Sequence, residues 1–547
     1  MTLGEHHFSE PGYRLTASEF IKQVADAWGD RDLCVIEQDA LTFEQAQAQS
    51  TEFAKALLAS GVRAGTHVGL LAPNGGNWIV AWLAASRIGA VVVLLNTYYK
   101  PRELNWVLEH SDVEVLLTVD SHLGNNYVER LESIVEGLDE ATAGEIDVES
   151  HPALRCVWMW GDQIPSWAGR VDDLIASARE TSDAELLAAE NAVAPSDPMI
   201  VMYSSGSTGN PKGVVHSHAG VIGHPYNLLQ FLDSQAGEVV YTPMPLFWVG
   251  GITYVLIASM HAGTTIIFEH QFEPEATLKL IEGHRVNHVV GWPHMAKALV
   301  EHPSAQHRDL SSVRSGSIEE FLPEHIRIDD PEMRPNALGM TESLGPHSIE
   351  VMGGELPPTK RGSFGRSVPG VQHRIVDPVS GAELPLGEMG EIHIKGYSLM
   401  LGLLKTDPHD VFTADGWLPT GDAGYLDADG HLYFKGRMGD QIKSSGMNIT
   451  PREVEIVLEE QDEVMDSYVM GVPSAQRGQD VAAAVVLRPG ESCEPTELQA
   501  RVKQELSSYK VPRHIAVFDS PGELPWLDSG KIDLTELGRL LEERFGS

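Results

Sequence analysis

Residues 203–213, YSSGSTGNPKG, have the composition of a loop that binds phosphate groups. Glycines let such a backbone curl, hydroxyls offer hydrogen bonds and a lysine adds positive charge, so the loop can wrap a polyphosphate. It departs from the Walker pattern, because glycine rather than Ser or Thr follows the lysine. A flexible surface loop of the same composition is the alternative. The candidate binding residues are Ser204, Ser205, Gly206, Ser207, Thr208, Gly209 and Lys212.

Further along the chain, two segments carry polar residues that could bind the phosphate, metal ion or ribose of a nucleotide. Thr341 and Glu342 place a hydroxyl beside a carboxylate, which suits a phosphate oxygen and Mg²⁺. Asp422 can accept hydrogen bonds from both hydroxyls of a ribose, and Arg437 can donate to that ribose or its phosphate. Taken alone, the same residues are typical of a helix cap, a turn and a surface charge.

The elements that would position these residues follow an α/β pattern. A helix, a glycine, a β-branched strand and a proline-led helix occur at residues 79–104 and again at 252–278. The strands are hydrophobic throughout, as strands buried on both faces of a parallel sheet must be. The pattern predicts two related α/β units, or a chance likeness between two common patterns. Either interpretation gives the α/β fold class.

After residue 360 the sequence pattern predicts short strands and tight turns, with a hairpin signal at Asp429 and Gly430. A helix with Thr450 as N-cap and Pro451 at its first position follows, within an alternation of strands and helices. We expect an N-terminal domain, residues 1–437, with two α/β subdomains and a β-rich subdomain. A small, mobile α+β domain, residues 438–547, would follow it.

Composition excludes several classes of protein. Lys and Arg number 39 against 78 Asp and Glu, and the net charge of −39 would repel nucleic acids and anionic membranes. The 3 cysteines form no CxxC pair, which argues against a disulfide scaffold or a structural zinc. Neither a signal peptide nor an uninterrupted apolar span is evident. We therefore expect a cytoplasmic protein without a nucleic-acid partner or an integral membrane segment.

Three histidines close together after the phosphate-loop motif, His216, His218 and His224, have no carboxylate at a suitable spacing. Such residues are more typical of a core or a surface than of a metal site. We expect no transition metal.

Five motifs resemble, in order, those of the adenylate-forming superfamily, which includes acyl-CoA synthetases, adenylation domains of peptide synthetases and luciferases. They span residues 203–533 and read YSSGSTGNPKG, LGMTE, TGDAGYLDADGHLYFKGR, KSSGMNITPREVE and LDSGKID. One departure is Leu338, which stands where the family has an aromatic residue that stacks on adenine. An apolar contact would replace that stacking.

The resemblance implies a role for each matching residue. The phosphate loop, Thr341, Asp422, Arg437 and Lys443 would bind ATP, and Glu342 would hold Mg²⁺. Lys531 would stabilise charge as a carboxylate displaces pyrophosphate. Gly446 would line the path of the pantetheine arm of coenzyme A.

The expected function is therefore an ATP-dependent carboxylic acid:CoA ligase. It would form an acyl-adenylate and pyrophosphate, then a thioester and AMP. The alternatives are an adenylating enzyme that loads a carrier protein, a luciferase-like oxygenase, and a non-catalytic nucleotide-binding homologue. The partners would be the acid, ATP and CoA, and a homodimer is left open.

The acid is expected to be hydrophobic. Phe247, Trp248 and Gly250 precede an apolar helix that borders the acyl pocket in the family, although core packing of Trp248 is the alternative. Residues 214–272 contain no Lys or Arg, which disfavours a second acidic group on the substrate. A medium- or long-chain fatty acid, or a bulky alicyclic or steroid-side-chain acid, fits this segment.

Overall fold

The computed structural model divides the chain into two compact units. The first contains residues 1–372 and 395–418, and the second contains residues 373–394 and 419–547. No helix among the residues described is both long enough and apolar enough to cross a membrane. The described residues are 6–204, 211–291, 293–438, 442–444, 447–449, 451–474, 477–506, 510–527 and 531–545.

The α-helices lie between residues 17 and 301 and between residues 451 and 545. The α-helices are α1 (Ala17–Trp28), α2 (Phe43–Ala59), α3 (Gly76–Arg87), α4 (Pro101–His110), α5 (Tyr127–Ile134), α6 (Val171–Ala176), α7 (Asp183–Ala192), α8 (His218–Leu228), α9 (Ala258–Ala262), α10 (Pro274–Gly283), α11 (Pro293–Glu301), α12 (Pro451–Glu459), α13 (Pro495–Glu505) and α14 (Leu534–Phe545). A π-helix, Gly250–Ile257, directly precedes α9.

Strands are interspersed with these helices as far as residue 301, whereas the strands between residues 302 and 450 follow one another with no α-helix among the described residues there. They are β1 (Asp32–Ile36), β2 (Asp39–Thr42), β3 (His67–Leu71), β4 (Val91–Leu94), β5 (Val115–Val119), β6 (Ser121–His122), β7 (Asn125–Asn126), β8 (Cys156–Trp160), β9 (Gly169–Arg170), β10 (Pro198–Ser204), β11 (Lys212–Ser217), β12 (Val239–Tyr241), β13 (Thr265–Phe268), β14 (His288–Val289), β15 (Ser315–Gly316), β16 (Ala337–Met340), β17 (Gly345–Ile349), β18 (Arg366–Ser367), β19 (Val371–Val376), β20 (Gly390–Gly396), β21 (Gly402–Leu403), β22 (Leu418–Leu426), β23 (Leu432–Arg437), β24 (Ile442–Ser444), β25 (Met447–Ile449), β26 (Val464–Ser474), β27 (Gly478–Leu487) and β28 (His514–Phe518).

Two mainly parallel sheets form the core of the first unit. One has the order β21-β11-β10-β4-β3-β5-β8-β9, and the other β15-β14-β12-β13-β1-β2. Every residue of β4 is buried, as are Trp78 and Trp82 of the preceding helix α3. The two copies of the helix-strand-helix pattern lie in different sheets, one around β4 and the other around β13. The predicted α/β fold class is confirmed.

The second unit contains antiparallel strand pairs. One sheet has the order β19-β20-β22-β23, and the predicted hairpin joins β22 to β23, with Gly430 at a φ of 79°. The other has the order β25-β24-β27-β26, with β28 beside β27. Helix α12 begins at Pro451 as predicted, and its predicted N-cap Thr450 lies outside the described residues. The division between residues 437 and 438 stays a prediction.

Candidate active site

Strands β10 and β11 flank the predicted phosphate-binding loop. They are antiparallel, and Ser204 at the end of β10 lies opposite Lys212 at the start of β11. Lys212 is half-buried, and no carboxylate among the described residues pairs with it, so its ammonium group is available to an anion. The loop residues Ser205, Gly206, Ser207, Thr208 and Gly209 lie outside the described residues.

Side chains of α4 contact both flanks of this loop. The Tyr203 hydroxyl lies 2.8 Å from Nδ1 of His110, whose ring stacks on Trp106 with ring centroids 5.2 Å apart. Nε1 of Trp106 donates to the Pro211 carbonyl oxygen at 3.3 Å. Burial and, after it, the charge of Lys405 lower the pKa of His110. These contacts join residues far apart in the chain, so no local sequence pattern indicates them.

A sharp turn between β16 and β17 carries Thr341 and Glu342. It is a 3-10 segment that ends at Ser343, and Leu344 follows with a left-handed φ of 59°. Few residues other than glycine adopt that conformation. The Ser343 hydroxyl closes the turn by donating to the Gly345 carbonyl oxygen at 2.7 Å. The two predicted residues therefore sit on a tightly defined backbone.

The carbonyl oxygens of this turn are held from outside it. Nε2 of His216, on β11, lies 2.8 Å from the Thr341 oxygen. The N–H of Met400 donates to the carbonyl oxygen of Glu342 at 2.8 Å. The N–H of Leu401 donates to the carbonyl oxygen of Val215 on β11, also at 2.8 Å. The structure thus places the turn against the strand that begins with Lys212.

All three histidines of the sequence cluster are core residues. His216, His218 and His224 are each 0% exposed. Burial lowers the pKa of His216 to about 3 and those of His218 and His224 to about 4, so all three are neutral at physiological pH. Within the described residues, no group of three or more His, Cys, Asp or Glu side chains could hold a metal ion.

The side chain of Glu342 fits the predicted contact with Mg²⁺. It is half-exposed, and its carboxylate accepts no hydrogen bond from the part of the chain that the structure describes. A cation bound here would take one carboxylate and oxygens of phosphate or water, which is the set that Mg²⁺ usually has beside a nucleotide.

Aromatic side chains cluster at the predicted acyl pocket. Phe247 and Trp248 meet edge to face with ring centroids 5.7 Å apart, and Tyr98 lies 6.1 Å from Phe247 and 6.4 Å from Trp248. Phe247 is 5% exposed but Tyr98 is 41% exposed, so the cluster extends from the core to the surface. Gly250 begins the π-helix. Tyr98 was not among the predicted pocket residues, because it lies far from the other two in the chain and no local pattern links them.

Asp422 lies in the second unit, on β22 opposite Arg437 of β23. It is 5% exposed, and its N–H donates to the Thr420 hydroxyl at 3.1 Å, which in turn donates to the Ile392 oxygen at 2.7 Å. The backbone at Asp422 is therefore held by the pairing of β22 with β23 and by the side chain of Thr420. The side chain of Arg437 lies outside the described residues.

The two predicted lysines near the C-terminus also lie in the second unit. Lys443 is on β24 opposite Asn448 of β25, and its side chain lies outside the described residues, as does Gly446. Lys531 is exposed, and its carbonyl oxygen accepts the N–H of Leu527 at 2.8 Å. Such exposure leaves the ammonium group of Lys531 accessible to a ligand.

Known proteins resemble the chain over most of its length. Residues 21–404 match the AMP-binding enzyme family, and residues 453–531 match the AMP-binding enzyme C-terminal domain. YngI of Bacillus subtilis, provisionally named an acyl-CoA synthetase, is 31% identical over 97% of this chain and 98% of its own length.

Two further proteins extend the comparison. A CoA ligase of Mycobacterium tuberculosis, named for a propanoyl group on a methylated octahydro-indene dione, is 31% identical over 92% of this chain and 95% of its own. The fold matches ATP-bound MatB from Rhodopseudomonas palustris with a TM-score of 0.79, at 23% identity, over 97% of this chain and 100% of MatB.

Proposed function

Because the chain belongs to the AMP-binding enzyme family, we propose that it is an ATP-dependent carboxylic acid:CoA ligase. The carboxylate attacks the α-phosphorus of ATP, which releases pyrophosphate and leaves an acyl-adenylate. The thiol of CoA then attacks the acyl carbon, which releases AMP and gives the thioester. The predicted membership of the adenylate-forming superfamily is confirmed.

One observation carries the proposal: the turn with Thr341 and Glu342 is hydrogen-bonded to the strand that begins with Lys212. A hydroxyl, a carboxylate and an ammonium group are thereby held on one framework in the first unit. These are the groups needed by the phosphates of ATP and by the metal ion that accompanies them.

The residues would divide the work of adenylation. Lys212 and the hydroxyls of the phosphate loop bind the phosphate chain, and Thr341 donates to a phosphate oxygen. Mg²⁺, when bound at Glu342, neutralises phosphate charge. Positioning and charge contribute most in phosphoryl-group chemistry, so none of these residues needs to act as a base.

Residues of the second unit would act on the other parts of the substrates. Asp422 accepts hydrogen bonds from the ribose hydroxyls, while Arg437 and Lys443 also contact the nucleotide. Lys531 stabilises the charge that develops when pyrophosphate leaves. Gly446 leaves room for the pantetheine arm of CoA.

The acid is proposed to be a medium- or long-chain fatty acid or a bulky alicyclic acid. The cluster of Tyr98, Phe247 and Trp248 supplies an apolar surface, and residues 214–272 contain no Lys or Arg to pair with a second acidic group. The named acyl group of the Mycobacterium tuberculosis relative, a propanoyl chain on a bicyclic ring, supports the alicyclic alternative.

We also propose a cytoplasmic location, which the cysteines support. Cys34 and Cys156 are buried free thiols, and burial raises the pKa of Cys34 to about 12. Inert thiols of this kind suit a reducing compartment.

A panel of acids tests the function. Acetate, linear acids of increasing length and a cyclohexyl-propanoic acid are each incubated with ATP and Mg²⁺, with and without CoA. The proposal predicts pyrophosphate and AMP release with thioester only when CoA is present, and fastest with the apolar acids. Acyl-adenylate without thioester would favour the carrier-protein alternative, and no pyrophosphate with any acid would favour the non-catalytic one.

A further inference from the structure

His216 makes a direct contact with the turn that carries the proposed phosphate and metal contacts. It lies on β11 four residues after Lys212, and its side chain is 0% exposed. Its Nε2 atom is 2.8 Å from the carbonyl oxygen of Thr341. A carbonyl oxygen only accepts, so Nε2 carries the hydrogen and Nδ1 is unprotonated.

The hydrogen bonds around His216 indicate that it contributes little to the stability of the fold. The Thr341 oxygen also accepts the N–H of Leu344 at 3.2 Å, so it would keep a partner if His216 were replaced. Nδ1 of His216 is buried and has no hydrogen-bond partner among the described residues. A buried acceptor without a partner destabilises a protein, and an apolar side chain of similar size would avoid this cost.

The bond joins two parts of the proposed site that, among the described residues, are otherwise hydrogen-bonded to each other only through a third segment. The turn is also linked to β11 through residues 400 and 401. The N–H of Met400 donates to the Glu342 oxygen, and the N–H of Leu401 donates to the Val215 oxygen of β11. Residues 216 and 341 are 125 apart in the chain. Without the histidine, the carbonyl oxygen of Thr341 would keep, within the described part of the chain, only the bond from Leu344 inside the turn.

We propose that His216 is a positioning residue for adenylation. Its Nε2–H holds the Thr341 carbonyl group, and so keeps the Thr341 hydroxyl and the Glu342 carboxylate at a fixed place relative to Lys212. The inference rests on the proposed function, in which these three groups bind ATP and its Mg²⁺. A misplacement of 1 Å at such a site can lower a rate about 100-fold.

Three substitutions separate positioning from stability. His216→Leu removes the donor and the unsatisfied acceptor together, whereas His216→Gln offers an amide N–H near the position of Nε2. His224→Leu is the control, because His224 is also 0% exposed and its Nε2 lies 2.9 Å from a carbonyl oxygen, that of Pro346 on β17. Its Nδ1 also lies 2.9 Å from the Tyr397 hydroxyl, so this variant loses more hydrogen bonds than His216→Leu and controls for the loss of stability. Both contacts are outside the turn.

Each full-length variant is measured in two ways besides thermal unfolding. Calorimetry gives the Kd of ATP in the presence of Mg²⁺ and needs no acid. Single-turnover kinetics with the preferred acid then give the rate of pyrophosphate release. For His216→Leu we expect a Kd about 10-fold weaker and a rate about 100-fold lower, with a Tm no lower than that of the wild type. His216→Gln should recover to within about 3-fold of the wild type, and His224→Leu should keep the wild-type Kd.

The results distinguish this inference from the proposed function. Positioning by His216 is wrong if His216→Leu keeps the wild-type Kd for ATP, or if both leucine variants weaken binding in proportion to their loss of Tm. The proposed function fails separately if wild-type protein binds ATP but releases no pyrophosphate with any acid. In that case the Kd values of the variants still decide whether His216 positions the turn.

Discussion

Replacing Glu342 with glutamine should remove most of the adenylation activity without weakening the fold. The Glu342 carboxylate is half-exposed and accepts no hydrogen bond from the described part of the chain, so the amide disturbs no internal contact. The backbone bond from Met400 to the Glu342 oxygen does not depend on the side chain. The free energy of unfolding should therefore change by less than about 0.5 kcal/mol.

The loss of activity follows from the loss of charge. A preorganised electrostatic contact that stabilises a transition state contributes about 100- to 1,000-fold in rate, or about 3–4 kcal/mol. We expect the rate of acyl-adenylate formation to fall by that factor, and the Mg²⁺ concentration for half-maximal rate to rise, because a neutral amide is a weaker ligand of a hard cation.

Single-turnover formation of acyl-adenylate, titrated with Mg²⁺, is the assay. Glu320→Gln is the control, because Glu320 is an exposed carboxylate elsewhere in the same unit. Adenylation within about 3-fold of the wild type, or an unchanged Mg²⁺ dependence, would refute the assignment of Glu342.

Three further predictions concern other parts of the chain. Lys531→Ala should slow acyl-adenylate formation by about 100-fold or more but still convert supplied acyl-adenylate and CoA to thioester; equal losses in both half-reactions would contradict the role of Lys531. Trp248→Ala should change the ranking of acids by length or bulk, since each methylene in an apolar pocket is worth about 1–3 kcal/mol; one common factor for all acids would show that Trp248 is only core packing. Glu238→Gln should lower the free energy of unfolding at pH 7 by about 3 kcal/mol. Burial alone would raise the pKa of Glu238, but hydrogen bonds from Arg314 and His288 outweigh it and lower the pKa from 4.5 to about 2. The stabilisation is present above pH 4.5 and disappears as the pH falls towards 2, so denaturant titrations of both proteins should converge over that range and not above it.

Local patterns predicted the elements whose signals lie within one segment. The helix and strand predicted within residues 79–104 are the buried helix α3 and the buried strand β4, and the Asp429 and Gly430 signal is a hairpin. Helix α12 begins at Pro451 as its sequence indicates. In each case the residues that decide the structure are neighbours in the chain, so their spacing carries the information.

The segment after Trp248 shows where local patterns fail. The sequence predicts an ordinary helix there, but the structure has a π-helix, Gly250–Ile257, before α9. A π-helix differs from an α-helix only in which carbonyl each N–H reaches, and it is rare. Apolar residues at this spacing are compatible with both, so packing around the helix decides between them.

The candidate site could be predicted residue by residue but not as an arrangement. Thr341, Glu342 and Lys212 were found from motifs, whereas the contact of His216 with Thr341 was not, because it joins residues 125 apart. The sheet order explains how the turn with Thr341 reaches β11. Strand β21 pairs with β11, and Met400, two residues before β21, donates to the Glu342 oxygen of the turn. The histidine motif itself carried no signal beyond that of a core residue.

The fate of the carboxylate oxygens of the acid tests the central claim most directly. An apolar acid labelled in both carboxylate oxygens with a heavy oxygen isotope is incubated with ATP, Mg²⁺ and CoA. Mass spectrometry then measures the isotope content of each product. Attack of the carboxylate on the α-phosphorus predicts one labelled oxygen in AMP for each thioester formed, together with unlabelled pyrophosphate. Label in inorganic phosphate with release of ADP, or thioester formed with unlabelled AMP, would contradict an acyl-adenylate and with it the proposed ligase.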